Sequence, residues 1–202
     1  MQVMWLASRP MPDLRVIVLA AGKGERFKAA GGTQHKLDAL LQGLSVRERV
    51  IKAVQASGLS WHVVLPEHTQ HVRNPGMADS IACGVAATRN ADGWLILPGY
   101  LPLIQPATLQ FMAKALHDAT QQATPGDVVV PMHQQQRGHP VGFSKACLQD
   151  LLQLKGDKGA ASVVAKHNSL QVPVDDVGCV TDVDTPALLE SAHQLLQAQK
   201  LQ

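Results

Sequence analysis

The chain has 202 residues, of which 46% are apolar and 17% charged, and a net charge of +2. That size and balance describe one ordered domain with a sizeable core and exclude a disordered chain. The small charge and the lack of a basic run argue against nucleic acid as the main partner. No apolar run reaches the ~20 residues of a membrane span, and residues 1–13 read as a short extension rather than a signal peptide. Cys83, Cys147 and Cys179 are odd in number and far apart, which argues against a disulfide framework. The expected setting is the cytoplasm. His68 and His71 follow Pro66 in a polar stretch with no third ligand at hand, so a solvated loop is preferred there to a metal site.

In chain order, Arg15–Ala20 is a continuous apolar run, read as a strand buried on both faces. A glycine-rich turn comes directly after it. Ser45 and Glu48 have capping-box spacing ahead of Val46, Val50 and Val54, and Gly58 closes that helix in the left-handed conformation. Trp61–Leu65 is the next strand, Met77–Thr88 the next helix, and Trp94–Leu97 the strand after it. Pro106 begins a helix with Leu109, Met112, Ala113 and Leu116 on one face. Asp127–Pro131 and Val141–Phe143 are strands, with Ser144 placed to cap the helix after the second, and Gln171–Val174 is a late strand. The last helix starts at Pro186 under a Thr185 cap, with Leu188, Leu189, Ala192, Leu195 and Leu196 on its buried side. Alternating strand and helix predicts an α/β fold: a three-layer, Rossmann-like, mainly parallel sheet with helices on both faces, in one domain over 1–202.

In such a sheet ligands bind beyond the carboxyl ends of the strands. The segment Leu19–Phe27, LAAGKGERF, stands at such an end. Its glycines let backbone N–H groups approach phosphate oxygens, and Lys23 and Arg26 offset triphosphate charge. It is not the dinucleotide fingerprint, because Phe27 takes the third glycine's place. It is not a Walker A loop either, because Gly24 follows Lys23. The segment alone is also compatible with a plain strand-to-loop turn.

LAAGxGxRF followed by the lysine of HKL resembles the signature of MobA-like nucleotidyltransferases, which include the cytidylyl- and guanylyltransferases that mature the molybdenum cofactor. Gly22, Gly24, Arg26 and Lys36 match by position, and the LAAG form is more similar to the cytidylyltransferases. The likeness continues in order: GMADSIACG (Gly76–Gly84), LPGYLP (Leu97–Pro102), RGHPVGF (Arg137–Phe143), GDKGA (Gly156–Ala160) and DVDTP (Asp182–Pro186).

The resemblance implies the nucleotide-diphospho-sugar transferase type of fold and transfer of an NMP from an NTP, with CTP the best guess, to a phosphorylated acceptor such as molybdopterin. Arg26 and Lys36 would act on the phosphates. Leu19, Ala20, Ala21, Gly22, Gly24, Gly76 and Ser80 would bind the nucleotide. Arg137, His139 and Asp157 would face the acceptor, and Asp182 and Asp184 would hold Mg²⁺. The residues keep bland readings open: a tight turn at His139, a cap at Asp157, a cap and dipole contact at Asp182 and Asp184, and solvent or ribose for Asp79.

One departure bears on activity. The family's metal aspartate in GDMP is Tyr100 here, a poor Mg²⁺ ligand with an unperturbed pKa near ~10, and Ala161 stands in place of an arginine. A catalytically impaired nucleotide-binding relative and a sugar-phosphate nucleotidyltransferase are therefore alternative expectations.

Overall fold

The structure is a computed structural model describing residues 12–200, so the extension read over residues 1–13 lies almost wholly outside it. Its centre is a seven-stranded sheet in the order β4-β1-β5-β8-β6-β7, with β9 on the other edge of β6. The strands are β1 (Leu14–Leu19), β4 (Ser60–Val64), β5 (Gly93–Pro98), β6 (Val128–His133), β7 (Gln136–Arg137), β8 (Val141–Ser144) and β9 (Ser169–Pro173). β4, β1 and β5 run parallel, as do β6 and β9, whereas β8 is antiparallel to both of its neighbours. The short β6–β7–β8 connection leaves no room for a helical crossover, which is what reverses β8.

The continuous apolar strands are explained by burial on both faces. Val16, Val18, Leu95 and Leu97 point to one side, where they meet Val50 and Val54 of α2 (Val46–Ala56) and Leu109, Met112 and Leu116 of α4 (Pro106–Thr120). Ile17, Leu19, Trp94 and Ile96 point to the other, against Ile81 and Val85 of α3 (Met77–Ala87), Leu151 of α5 (Leu148–Leu152) and Val163 of α6 (Ala161–Lys166). Each central strand thus interlocks three layers, as the alternation of elements predicts.

The predicted helix ends are present. Ser45 accepts from the Glu48 N–H while the Glu48 carboxylate accepts from the Ser45 N–H, and Gly58 follows at φ 71°. Thr185 Oγ1 accepts from the Leu188 N–H at the start of α7 (Pro186–Lys200).

Several expectations need correction. Ser144 caps nothing; its hydroxyl donates to Asp127 Oδ1 at 3.2 Å. Leu188 is exposed, because the buried stripe of α7 is carried by Leu189, Ala192, Leu195 and Leu196. Two tiny hairpins escaped the pattern. One joins β2 (Leu40–Leu41) to β3 (Leu44–Ser45) through Gln42 and Gly43, and the other joins β6 to β7 through Gln134 and Gln135. All four turn residues have positive φ. Among the described residues no helix is long and apolar enough to cross a membrane.

Candidate active site

The site lies at the carboxyl ends of β1, β4 and β5. Where β1 stops, the Ala20 N–H donates to Val64 O and the Gly99 N–H to Leu19 O, both at 2.9 Å, so the loops leaving three strands begin in a fixed register. The glycine-rich loop then turns through Gly24, φ 68°, into the short helix α1 (Glu25–Ala29). Phe27 is buried and anchors that helix.

His35 clips this loop from below. Its Nδ1 accepts from the Leu37 N–H, so Nε2 carries the proton and donates to Gly22 O at 2.8 Å. Gly22 itself has ordinary φ, and a Cβ there would meet nothing. Neither the backbone nor the neighbours require glycine at this point; its missing side chain keeps the cleft wall bare.

Behind the loop sits a charged centre. Asp184, 5% exposed, accepts from Lys36 Nζ on Oδ1 at 2.5 Å and pairs with Arg26 on Oδ2 at 2.7 Å. Lys36 is equally buried, whereas the Arg26 side chain is largely exposed. The Tyr100 ring lies beneath Lys36, with Nζ 3.7 Å from its centroid. Burial, then Asp184 and Asp182, push the Tyr100 phenol up to about 12, so it carries no charge at neutral pH. Burial, and secondly Asp184, raise the Asp182 carboxyl above its ordinary value. Burial also lowers the Lys36 ammonium, against the pull of Asp184. Since Thr185 caps α7, neither Asp182 nor Asp184 is spent on that duty.

Most of the expected site residues line two adjoining spaces, whereas Ala20, Asp182 and Asp184 line neither. A cleft of about 540 Å³ is lined by Gly22, Gly24, Arg26, Lys36, Tyr100 and Asp157, among others. It continues into a recess of about 120 Å³ beside Leu19, Ala21, Gly76 and Ser80. Gly76 is needed here for space: a Cβ would stand 2.3 Å from Asp157 Oδ1 and from Gly156 O. Asp79 faces neither solvent alone nor the cleft. Its Oδ2 accepts the N–H groups of Gly76 and Gly156, tying α3 to the loop before α6. Ser80 is buried, and its hydroxyl donates to Gly76 O.

The second space is a pocket of about 300 Å³ with mainly apolar walls, including Ile96, Val130 and Phe143. Arg137, His139 and Lys158 also line it, and it shares Leu19 and Met77 with the recess. The His139 backbone N–H donates to Cys179 O, and the His139–Pro140 bond is cis. Its ring Nδ1 is buried with no hydrogen-bond partner. Burial lowers its pKa to about 4, so the ring is neutral near pH 7. Asp157 takes no part in capping α6, whose N-cap is Ala160.

Sequence reasoning missed His35, although it stands next to Lys36. It also missed Asp176, which accepts from the Gln105 N–H and Thr108 Oγ1 and so finishes the start of α4 from a distant loop. Neither has a local spacing that announces its partner. His68 is used locally: Nδ1 accepts from the Leu65 N–H and the ring stacks on His62.

A mainly parallel sheet flanked by helices, with a bare glycine loop and two convergent cations at its carboxyl edge, defines a nucleotide-handling α/β protein. The sequence matches the MobA-like NTP transferase domain over residues 16–172, and the chain belongs to that family. The fold agrees. Rv0371c from Mycobacterium tuberculosis H37Rv superposes with a TM-score of 0.73 at 22% identity, covering 90% of this chain and 98% of its own. A nucleotidyl transferase from Methanothermobacter thermautotroptrophicus gives 0.72 at 22%, with 92% and 98% covered. Molybdopterin-guanine dinucleotide biosynthesis protein A from Archaeoglobus fulgidus gives 0.63 at 18%, with 91% and 99% covered. A complex of Rv0371c with manganese also matches, at a TM-score of 0.66 and 19% identity, with 90% and 98% covered. No curated protein matches the sequence.

Proposed function

We propose that the chain is a cytoplasmic enzyme that transfers an NMP from a nucleoside triphosphate, CTP by the LAAG form of its loop, to a phosphorylated acceptor of the molybdopterin kind. The observation that carries this reading is the convergence of Arg26 and Lys36 at a cleft whose wall at Gly22 is bare. Ala21, Gly22 and Gly24 offer backbone to the triphosphate from the strand end that Leu19 and Ala20 fix in the sheet, and the recess at Gly76 and Ser80 takes the base and ribose. An acceptor phosphate oxygen bonds to the α-phosphorus as the bond to the bridging oxygen breaks, and pyrophosphate leaves with that electron pair. Arg26 and Lys36 neutralise the charge on the phosphate oxygens, and the cleft holds the reacting groups in line. Arg137 and His139 orient the acceptor, whereas Asp157, expected beside them, lines the nucleotide cleft.

A divalent cation, Mg²⁺ in this reading, supplies further charge neutralisation when bound. Asp182 and Asp184 fit it: they are neighbouring carboxylates, Asp184 buried and Asp182 partly so, and one or two carboxylates with substrate phosphates make an ordinary Mg²⁺ site. Among the described residues no group of three His, Cys, Asp or Glu gathers, so the remaining ligands would be phosphate and water.

The apolar walls of the 300 Å³ pocket favour a flat heterocyclic acceptor over a sugar phosphate, whose hydroxyls would be left unpaired there. One observation favours a second reading, a nucleotide binder with impaired turnover: position 100 presents a neutral ring where a third carboxylate could stand.

Thermal melting against CTP, GTP, ATP and UTP, with and without Mg²⁺, tests nucleotide binding. At ~100-fold excess over Kd a ligand of the folded state adds about 2.7 kcal/mol, which for a chain of this size is roughly 5–11 °C. A rise confined to CTP supports the reading, and no rise with any nucleotide overturns it. Pyrophosphate release separates enzyme from binder: a rise in melting point without turnover assigns the second reading.

A further inference from the structure

The Lys36 ammonium lies between two different attractions. Asp184 Oδ1 is 2.5 Å away, and the centroid of the Tyr100 ring is 3.7 Å away. Arg26 occupies the other oxygen of Asp184 at 2.7 Å. Asp184 therefore carries a cation on each oxygen, and a divalent ion that binds it competes with Lys36 for one of them.

Tyr100 enters that competition through its ring face alone. Its backbone carbonyl accepts from the Val183 N–H at 2.9 Å. That bond, with the Gly99 N–H on Leu19 O, fixes the residue between β1 and the segment carrying both aspartates. The ring also packs against two of the three core clusters, so it does not follow Lys36 when the long side chain moves. A cation over a desolvated aromatic face is held appreciably. That attraction adds to the carboxylate's in the one position where the ammonium reaches both.

We propose that Tyr100 is a positioning residue that holds Lys36 on Asp184 and so keeps divalent cations from this carboxylate until phosphate oxygens draw the lysine away. The proposal rests on reading Asp182 and Asp184 as metal carboxylates. It deepens that reading by making lysine and metal exclusive occupants of Asp184, with residue 100 weighting the balance.

The test is Mn²⁺ binding without nucleotide, followed by water-proton relaxation or electron paramagnetic resonance, on the full chain, three single variants and the combination of the tighter-binding ones with Asp184→Asn. Tyr100→Phe keeps the ring face and binds Mn²⁺ like the parent. Tyr100→Leu loses the face and binds roughly 2- to 30-fold tighter, the range a cation–π contact spans. Lys36→Gln removes the competing cation and also binds tighter, which keeps the test open should the leucine variant fold poorly. The gain disappears when Asp184→Asn is added. A leucine variant no tighter than the parent overturns the proposal, as does a phenylalanine variant that matches leucine, a glutamine variant without a gain, or a gain that survives Asp184→Asn. Since only Mn²⁺ is used, a failure of nucleotide binding in the melting experiment leaves this comparison intact, and the two readings fail separately.

Discussion

At the scale of residues, Asp184 is the centre on which the site is organised. It is buried with one buried cation, Lys36, and one largely exposed cation, Arg26. The two partners should not count equally. An exposed guanidinium stays hydrated, and breaking its pair costs little. A buried ammonium left without its carboxylate costs about 3–5 kcal/mol. Asp184→Ala should therefore destabilise the chain by about that amount in urea unfolding, and adding Lys36→Met should recover much of the loss. Arg26→Ala should change stability by less than about 1 kcal/mol while weakening nucleotide binding in the melting assay. Equal stability losses in the two single variants would contradict this ranking. Arg26 was legible from its place in the glycine-rich segment after the first strand, whereas Lys36 and Asp184 were reached only through the resemblance of HKL and DVDTP to the family's segments. His35 and Asp176 were not. Their roles are bonds to Gly22 O, and to the Gln105 N–H and the Thr108 hydroxyl, and such partners are set by the fold rather than by spacing along the chain.

At the scale of elements, the strands could be read because β1 and β5 bury both faces and so admit few polar residues. The hairpins could not. Gln42, Gln134 and Gln135 adopt positive φ without the Asn-Gly or Asp-Gly pair that marks such turns. Strand pairing, within the separate β2–β3 hairpin and along β6–β7, holds them there rather than local preference. A second unannounced feature is the clasp made by His167. Its Nε2 meets Asp150 Oδ2 on α5 at 2.7 Å and its Nδ1 meets Asp127 Oδ2 before β6 at 3.3 Å. Lys166 joins Asp150 at 2.6 Å. The clasp ties the middle of α5 to the C-terminal end of α6, and the loop between these helices carries Asp157 to the nucleotide cleft. Asp150, then burial in opposition, then Asp127 act on the ring, and the net effect raises the His167 pKa. A raised folded-state value stabilises fully below the unfolded value of ~6.5, and that stability is lost as pH rises through the folded value. The melting temperature should therefore fall as pH rises above ~6.5 through the range where His167 loses its proton, and His167→Gln should flatten that slope. His139 contributes the opposite sign: its depressed value, about 4, removes stability as pH falls below the unfolded value. A parent and a His167→Gln variant with the same slope on the alkaline side would rule out the clasp as its cause.

At the scale of the whole molecule, the antiparallel strand β8 and its parallel neighbours divide the carboxyl edge of the sheet into two adjoining spaces. The polar cleft lies over β1 and the glycine loop. The apolar pocket lies over β5, β6 and β8, with Leu19 and Met77 bordering both. The family resemblance reached both halves through separate short segments, Leu19–Phe27 and Arg137–Phe143, but their adjacency depends on a strand order that no segment carries. Two distinct spaces with a shared wall can be filled together, so ligands specific to each should stabilise additively when they do not touch. A free pterin is a suitable probe for the apolar side: it is flat, it brings donors and acceptors to the unpartnered His139 Nδ1, and it lacks the phosphate that would direct it to Arg26 and Lys36. At ~10-fold excess over its Kd it should add about 1.4 kcal/mol, or roughly 3–6 °C, on top of the rise produced by CTP. Glucose 1-phosphate in its place should add almost nothing, since its hydroxyls would meet Ile96, Val130 and Phe143 without partners. His139→Phe should abolish the pterin increment and leave the CTP rise unchanged, because His139 lines only the apolar pocket of these spaces. A rise with glucose 1-phosphate and none with pterin would transfer the acceptor assignment to sugar phosphates. A pterin rise that vanishes once CTP is bound would mean that one ligand reaches across Leu19 and Met77, and that the two spaces serve a single molecule.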